Sequence, residues 1–166
     1  MADSAFMGRP RSMLYFLDCR TDPVPEFVRW QLERYHAAGV RIVVFTFLQA
    51  SRIQEELKEL RESGVISDFV VSKDLRFSFS VVERVFGRGV SDDAVGTGDV
   101  YFSTAQCFGP LIPASELFRA REASGAAIWG ITLQTGRGGE FVEPYFMSIG
   151  RDVLSDSRFL KVLKDV

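Results

Sequence analysis

Val100-Tyr-Phe-Ser-Thr-Ala-Gln-Cys-Phe-Gly-Pro-Leu111 is the stretch of this 166-residue chain that decides its fold. The apolar run Val100 to Phe102 stops at the small polar residues Ser103, Thr104 and Gln106, and the breaker Gly109-Pro110 follows. A buried strand reads this way when it ends at a crevice instead of a plain turn. In open α/β sheets ligands bind beyond the carboxyl ends of strands, which makes Thr104 and Gln106 the first candidates to face a ligand. The competing reading is that they cap the loop.

Outward from this strand, the chain alternates strand and helix. Met13 to Leu17 is an apolar run ending in Asp18-Cys19-Arg20. Pro25 suits the first turn of a helix, and Val28, Leu32 and Tyr35 recur at helical spacing from Glu26 to Ala38, with Gly39 as the stop. Arg41 to Phe47 is continuous and β-branched, the pattern of a strand buried on both faces. Ser51 suits a helix cap; Ile53, Leu57 and Leu60 form the stripe that follows, and Gly64 ends it. Glu55, Glu56, Lys58, Glu59, Arg61 and Glu62 read as that helix's solvated face.

A short strand is expected at Phe69 to Ser72, and a helix-like segment around Val81 to Phe86. After the strand at Val100, a helix is expected over Pro113 to Ser124 and a buried strand over Ala126 to Thr132. A glycine-rich loop at Gln134 to Gly139, a strand at Tyr145 to Ile149 and one final helix over Leu154 to Val166 complete the chain. Repeated strand–helix units imply a mostly parallel sheet covered on both faces. Residues 1–12 read as a flexible segment and residues 13–166 as a single α/β domain. The chain ends inside a helical pattern, which suits a piece of something longer.

Composition narrows the function. Twenty basic against twenty-two acidic residues give a net charge of −2, with no electrostatic footprint for nucleic acid. No run approaches transmembrane length, and residues 1–12 lack the apolar core of a signal peptide. A cytoplasmic protein is expected, with peripheral docking at the inner membrane left open. Cys19 and Cys107 lack metal-type spacing and read as reduced, buried thiols. The single histidine, His36, falls mid-helix on a surface position, so any general base here is a carboxylate.

Three local stretches, in order, resemble the rhamnan synthesis F family, glycosyltransferase-like proteins of bacterial polysaccharide assembly. They are Val100 to Leu111 with its Phe108-Gly109-Pro110 turn, Ile128-Trp129-Gly130-Ile131-Thr132, and Tyr145-Phe146-Met147. The N-terminal half is similar only in layout. The resemblance implies an α/β three-layer sandwich with a mostly parallel central sheet, of the nucleotide-sugar transferase (GT-A-like) type. It also implies transfer of a sugar from a nucleotide-sugar donor to a glycan acceptor in surface polysaccharide (rhamnan-type or O-antigen) synthesis, with docking to other proteins of that synthesis.

The departures bear on activity. Where the family shows Asn-Asp-Ser, this chain has Thr104-Ala105-Gln106, and where it shows Gly-aromatic-Asp-Phe-Gly the matching stretch has Arg76 and Ser78. An aspartate is the natural hard ligand for a divalent cation bridging a diphosphate, and alanine cannot replace it. No cofactor and little metal dependence are therefore expected, with a divalent cation left open although Ala105 stands where its usual acidic ligand would be. The alternative is a catalytically degenerate fold that binds a glycan or docks a partner.

A transferase of this kind needs a donor pocket, a counter-charge for the leaving diphosphate and, for inversion, a base beside the acceptor hydroxyl. Asp18 and Arg20 follow the first strand on the side where such pockets open, or else form a helix-entry salt bridge. Arg76 could supply the missing positive charge through its planar fork, and Asp74 could accept from a sugar hydroxyl. Glu143, outside any helix face, is the candidate base, and Tyr145 at the strand entry joins the substrate-binding set. Trp129 could stack on a sugar, although a Trp on a buried strand is more often core. Gly136, Gly138 and Gly139 could let a loop close, but they form no dinucleotide fingerprint. Asp92-Asp93 lies in a loop, not at a strand end, which argues against a phosphate-transfer module.

Overall fold

The structure is a computed structural model that describes residues 10–17, 23–46, 51–71, 98–106, 109–131, 133–136, 139–142 and 145–164. Six strands form one sheet in the order β3-β2-β1-β4-β8-β5. They are β1 (Arg11–Leu17), β2 (Val40–Thr46), β3 (Asp68–Val71), β4 (Val100–Thr104), β5 (Ile128–Gly130) and β8 (Phe146–Ile149). β1 pairs in parallel with both β2 and β4, and β2 with β3. β8 is antiparallel to β4 and to β5, so it alone runs against the other five.

Helices cover both faces. α1 (Glu26–Ala37), α2 (Ser51–Glu62) and α3 (Ala114–Ser124) lie on the face that carries Met13, Tyr15, Leu17 and Tyr101. Val28, Leu32 and Tyr35 of α1, Ile53, Leu57 and Leu60 of α2, and Leu117 and Phe118 of α3 fill this layer. The stripes at i, i+3 and i+4 are what drive each helix onto the sheet. Leu14, Phe16, Phe102, Met147 and Ile149 point to the opposite face, as the alternation along strands requires. Leu154 of α4 (Arg151–Leu154) and Phe159 and Leu160 of α5 (Ser157–Lys164) pack there. The result is the three-layer sandwich with a mostly parallel sheet that the alternating pattern implies.

Gly39 and Gly64 take φ of +77° and +80° just past α1 and α2, where the left-handed conformation favours glycine. His36 is exposed on α1.

Four expectations need correction. The run Ala126 to Thr132 is not a buried strand: β5 spans three residues at the edge of the sheet, and Ile128 is exposed. The glycine-rich stretch at 134–139 is not a plain loop, because β6 (Leu133–Gly136) and β7 (Gly139–Val142) form an antiparallel hairpin. The C-terminal helix is two helices, divided at Ser155-Asp156. Asp156 Oδ1 accepts from the Arg158 backbone N–H at 2.8 Å and so caps α5. Glu56 is not simply solvated: its Oε2 accepts from the Val24 backbone N–H at 3.0 Å, tying the entrance of α1 to α2.

Candidate functional site

The sheet order places a topological switch between β1 and β4. The chain steps from β1 through β2 to β3 on one side, then returns to lay β4 on the other side of β1. The carboxyl ends of strands that flank such a switch are the place where open α/β sheets bind ligands. Phe16 pairs with Thr104, and the Ala105 N–H donates to the Phe16 carbonyl at 2.9 Å, so the two strands end together.

Thr104, Gln106 and Tyr145 meet at this edge. Thr104 is only 2% exposed, and its Oγ1 accepts from the Gln106 backbone N–H at 3.1 Å. Its role is therefore to shape the turn, the loop-capping alternative, while Gln106 stands exposed beyond it. Tyr145 is half-buried and directly precedes Phe146, which pairs with Ser103. Ala105 is buried, so this turn presents no carboxylate. Asp18, Arg20, Asp74, Arg76 and Glu143 lie outside the described residues, as do Cys19, Ser78, Asp92, Asp93, Cys107 and Gly138. Asp18 nonetheless follows Leu17, the last residue of β1, and Glu143 follows Val142, the last of β7.

Buried polar groups brace the edge from below. The Tyr35 hydroxyl lies 3.4 Å from Ser103 Oγ, and the Tyr15 hydroxyl donates to Gln31 Oε1. Both bonds link α1 to the two strands of the switch. Phe146 sits behind them, its ring 5.8 Å from Tyr35 and 6.4 Å from Trp129. Trp129 is half-buried and packs against the core. On the loop after β4, Arg34 donates from Nη2 to the Ile112 carbonyl at 3.1 Å while its guanidinium covers the Trp30 ring at 4.6 Å. This holds the exposed Leu111 and Ile112 beside α1.

Sequence reasoning missed a polar cluster at the other end of β4. Arg121, with a side chain 7% exposed, donates from Nε to Ser148 Oγ at 2.6 Å and pairs with Asp99 at 3.1 Å. Arg11 donates from Nε to Glu122 at 3.1 Å and lies over the Phe118 ring. One signal was available: Ala114, Leu117, Phe118 and Arg121 are the buried residues of α3, at i, i+3, i+4 and i+7, so the arginine occupies a core-facing position. Burial pushes the nearby Tyr101 hydroxyl up to about 12, and the Asp99 carboxylate adds to the shift.

Among the described residues no group of three or more His, Cys, Asp or Glu side chains is placed to hold a metal ion. No helix among them is long and apolar enough to cross a membrane.

No family model matches the chain, and no curated protein matches it. Solved structures do. HddC from Yersinia pseudotuberculosis superposes with a TM-score of 0.56 at 9% identity, over 87% of this chain and 79% of that one. A Desulfovibrio desulfuricans G20 protein described as a nucleotide-diphospho-sugar transferase gives a TM-score of 0.48 at 13% identity, over 92% and 70% of the two chains. The chain shares with HddC an α/β fold built on a mostly parallel central sheet, the architecture expected from the sequence.

Proposed function

We propose that this chain is a glycosyltransferase-like domain of bacterial surface polysaccharide synthesis that takes a nucleotide-sugar at the carboxyl edge of β1 and β4. One observation carries the reading: the two strands end side by side at the topological switch, with Gln106 exposed beyond a turn built by Thr104. The resemblance to rhamnan synthesis F proteins at Val100 to Leu111 supports it, on a fold that the chain shares with HddC.

In this reading Gln106 and Tyr145 contact the donor, joined by Asp18 and Arg20 from the segment that follows β1. Asp74 accepts from a sugar hydroxyl. Ala105 offers no oxygen to a cation, so the leaving diphosphate is neutralised by Arg20 and Arg76, and transfer is independent of a metal. Glu143 takes the proton of the acceptor hydroxyl.

The missing carboxylate at Ala105 also favours a second reading, in which the fold binds a glycan or docks a partner without transfer. Calorimetric titration with nucleoside diphosphates and nucleotide-sugars, with and without Mn²⁺, separates the two. Metal-independent binding that weakens in Arg76→Ala supports the transferase. Glycan binding with no response to any nucleotide supports the second reading.

A further inference from the structure

A cleft of about 730 Å³ opens at the amino ends of β1, β4 and β5, away from the carboxyl edge. We propose that this cleft is a separate site for a neutral, polyhydroxylated ligand, a saccharide unit.

Charge argues for neutrality. Arg11, Arg121 and Arg151 line the cleft together with Asp99, Glu122 and Asp152, so the formal charges cancel. Arg121 is paired with Asp99 and Arg11 with Glu122. An ion entering between such pairs meets attraction and repulsion together. A hydroxyl both donates and accepts, so a ring bearing several hydroxyls can use carboxylate and guanidinium edges that alternate around it.

Tyr101 supplies the second argument. It lines the cleft and is only 1% exposed, yet its hydroxyl has no hydrogen-bond partner among the described residues. That hydroxyl is not among the sealed polar atoms without a partner, so it reaches the cleft, where a ligand group can meet it. The charged groups that act on it are Asp99, Arg11, Arg121 and Glu122, which places it among the two ion pairs. A ligand hydroxyl seated there would complete it. Gly125 has open space where a side chain would stand, so the wall is low there and a ring can approach the backbone.

The site stands apart from the nucleotide-sugar reading and does not rest on it. Tyr101 and Thr104 lie near opposite ends of β4, three residues and roughly 10 Å apart along the strand.

The test is a titration of ¹⁵N-labelled protein with uncharged methyl glycosides of glucose, galactose and mannose, and separately with inorganic phosphate. At least one glycoside is expected to produce saturable shifts of the Gly98, Gly125, Ala127 and Gly150 amides, with Ala105 and Gln106 unmoved and phosphate silent. Tyr101→Phe should weaken that binding about fivefold, the loss of one hydrogen bond. Ala127→Trp, which fills the mouth and removes no polar group, should abolish it and serves as the readout should Tyr101→Phe not fold. No saturable shift with any glycoside, phosphate saturating the same amides, or undiminished binding in the variants would overturn the proposal. Failure of nucleotides to bind at the carboxyl edge leaves it untouched.

Discussion

The backbone N–H of Ala105 donates to the carbonyl of Phe16 across 2.9 Å, carrying the β1–β4 ladder one residue past the end of β4. This bond makes the two strands end side by side. Because β2 lies on the far side of β1, nothing in the sheet separates the two strand ends. The meeting of these two ends is thus a product of strand order, and Gln106 inherits its place from it.

The Tyr35–Ser103 contact fixes α1 against β4 just below that edge. Tyr35→Phe should lower stability by about 1 kcal/mol, the net worth of a buried hydrogen bond, with the fold retained. Urea denaturation followed by circular dichroism measures it. A loss of several kcal/mol would mean that the hydroxyl does more than this bond.

Arg121 and Asp99 make an ion pair in which the arginine is almost wholly buried. Arg121→Met should destabilise the protein by about 3 kcal/mol, because Asp99 loses its partner and Ser148 its donor. The same denaturation experiment reads it, and a neutral result would show that the pair is well solvated.

Gly98 faces the carbonyl of Pro10 so closely that a Cβ there would come within 1.7 Å of the oxygen. That contact is with backbone and cannot be relieved by a rotamer change. Gly98→Ala should therefore push the start of β1 away from β4 and cost about 2 kcal/mol. The amide shifts of Ser12 and Val100, paired residues of β1 and β4, should move most.

Asp156 is held down at a pKa of about 2, first by its side-chain hydrogen bond to Arg158 and then by the Arg158 backbone N–H. The ordinary value is 3.8, so the folded carboxylate is the better stabilised form. Its contribution is complete above the unfolded pKa and is lost as pH falls through about 2. Carboxyl carbon shifts followed from pH 6 downward should show Asp156 titrating near 2, well below the ordinary 3.8. An ordinary midpoint would show that the cap does not form.

The sequence carried much of this fold, for physical reasons that differ by region. β1, α1, β2 and α2 were legible because their apolar residues follow one period each and Gly39 and Gly64 terminate the helices. The strand at Ile128 was misjudged because an apolar run does not say whether a neighbour covers it. The hairpin of β6 and β7 was hidden because glycines that suit a loop also suit a tight turn between strands. The C-terminal helix seemed continuous because Leu160 and Leu163 keep their spacing across it, while Asp156 stops and restarts the backbone. At the site, the end of β4 was visible as a change from apolar to polar residues. Whether Thr104 faced ligand or turn depended on the geometry of Gln106. The Arg121–Asp99 pair joins residues 22 positions apart, which no local pattern reports.

The central claim is that a nucleotide-bearing ligand enters between the ends of β1 and β4. Titration of ¹⁵N-labelled protein with nucleoside diphosphates, read at the amides of Ala105, Gln106 and Tyr145, tests it most directly. The account predicts saturable shifts at these residues, with affinity reduced about fivefold in Gln106→Ala. Amides that stay still at saturating nucleotide, while shifts appear elsewhere or nowhere, would contradict it.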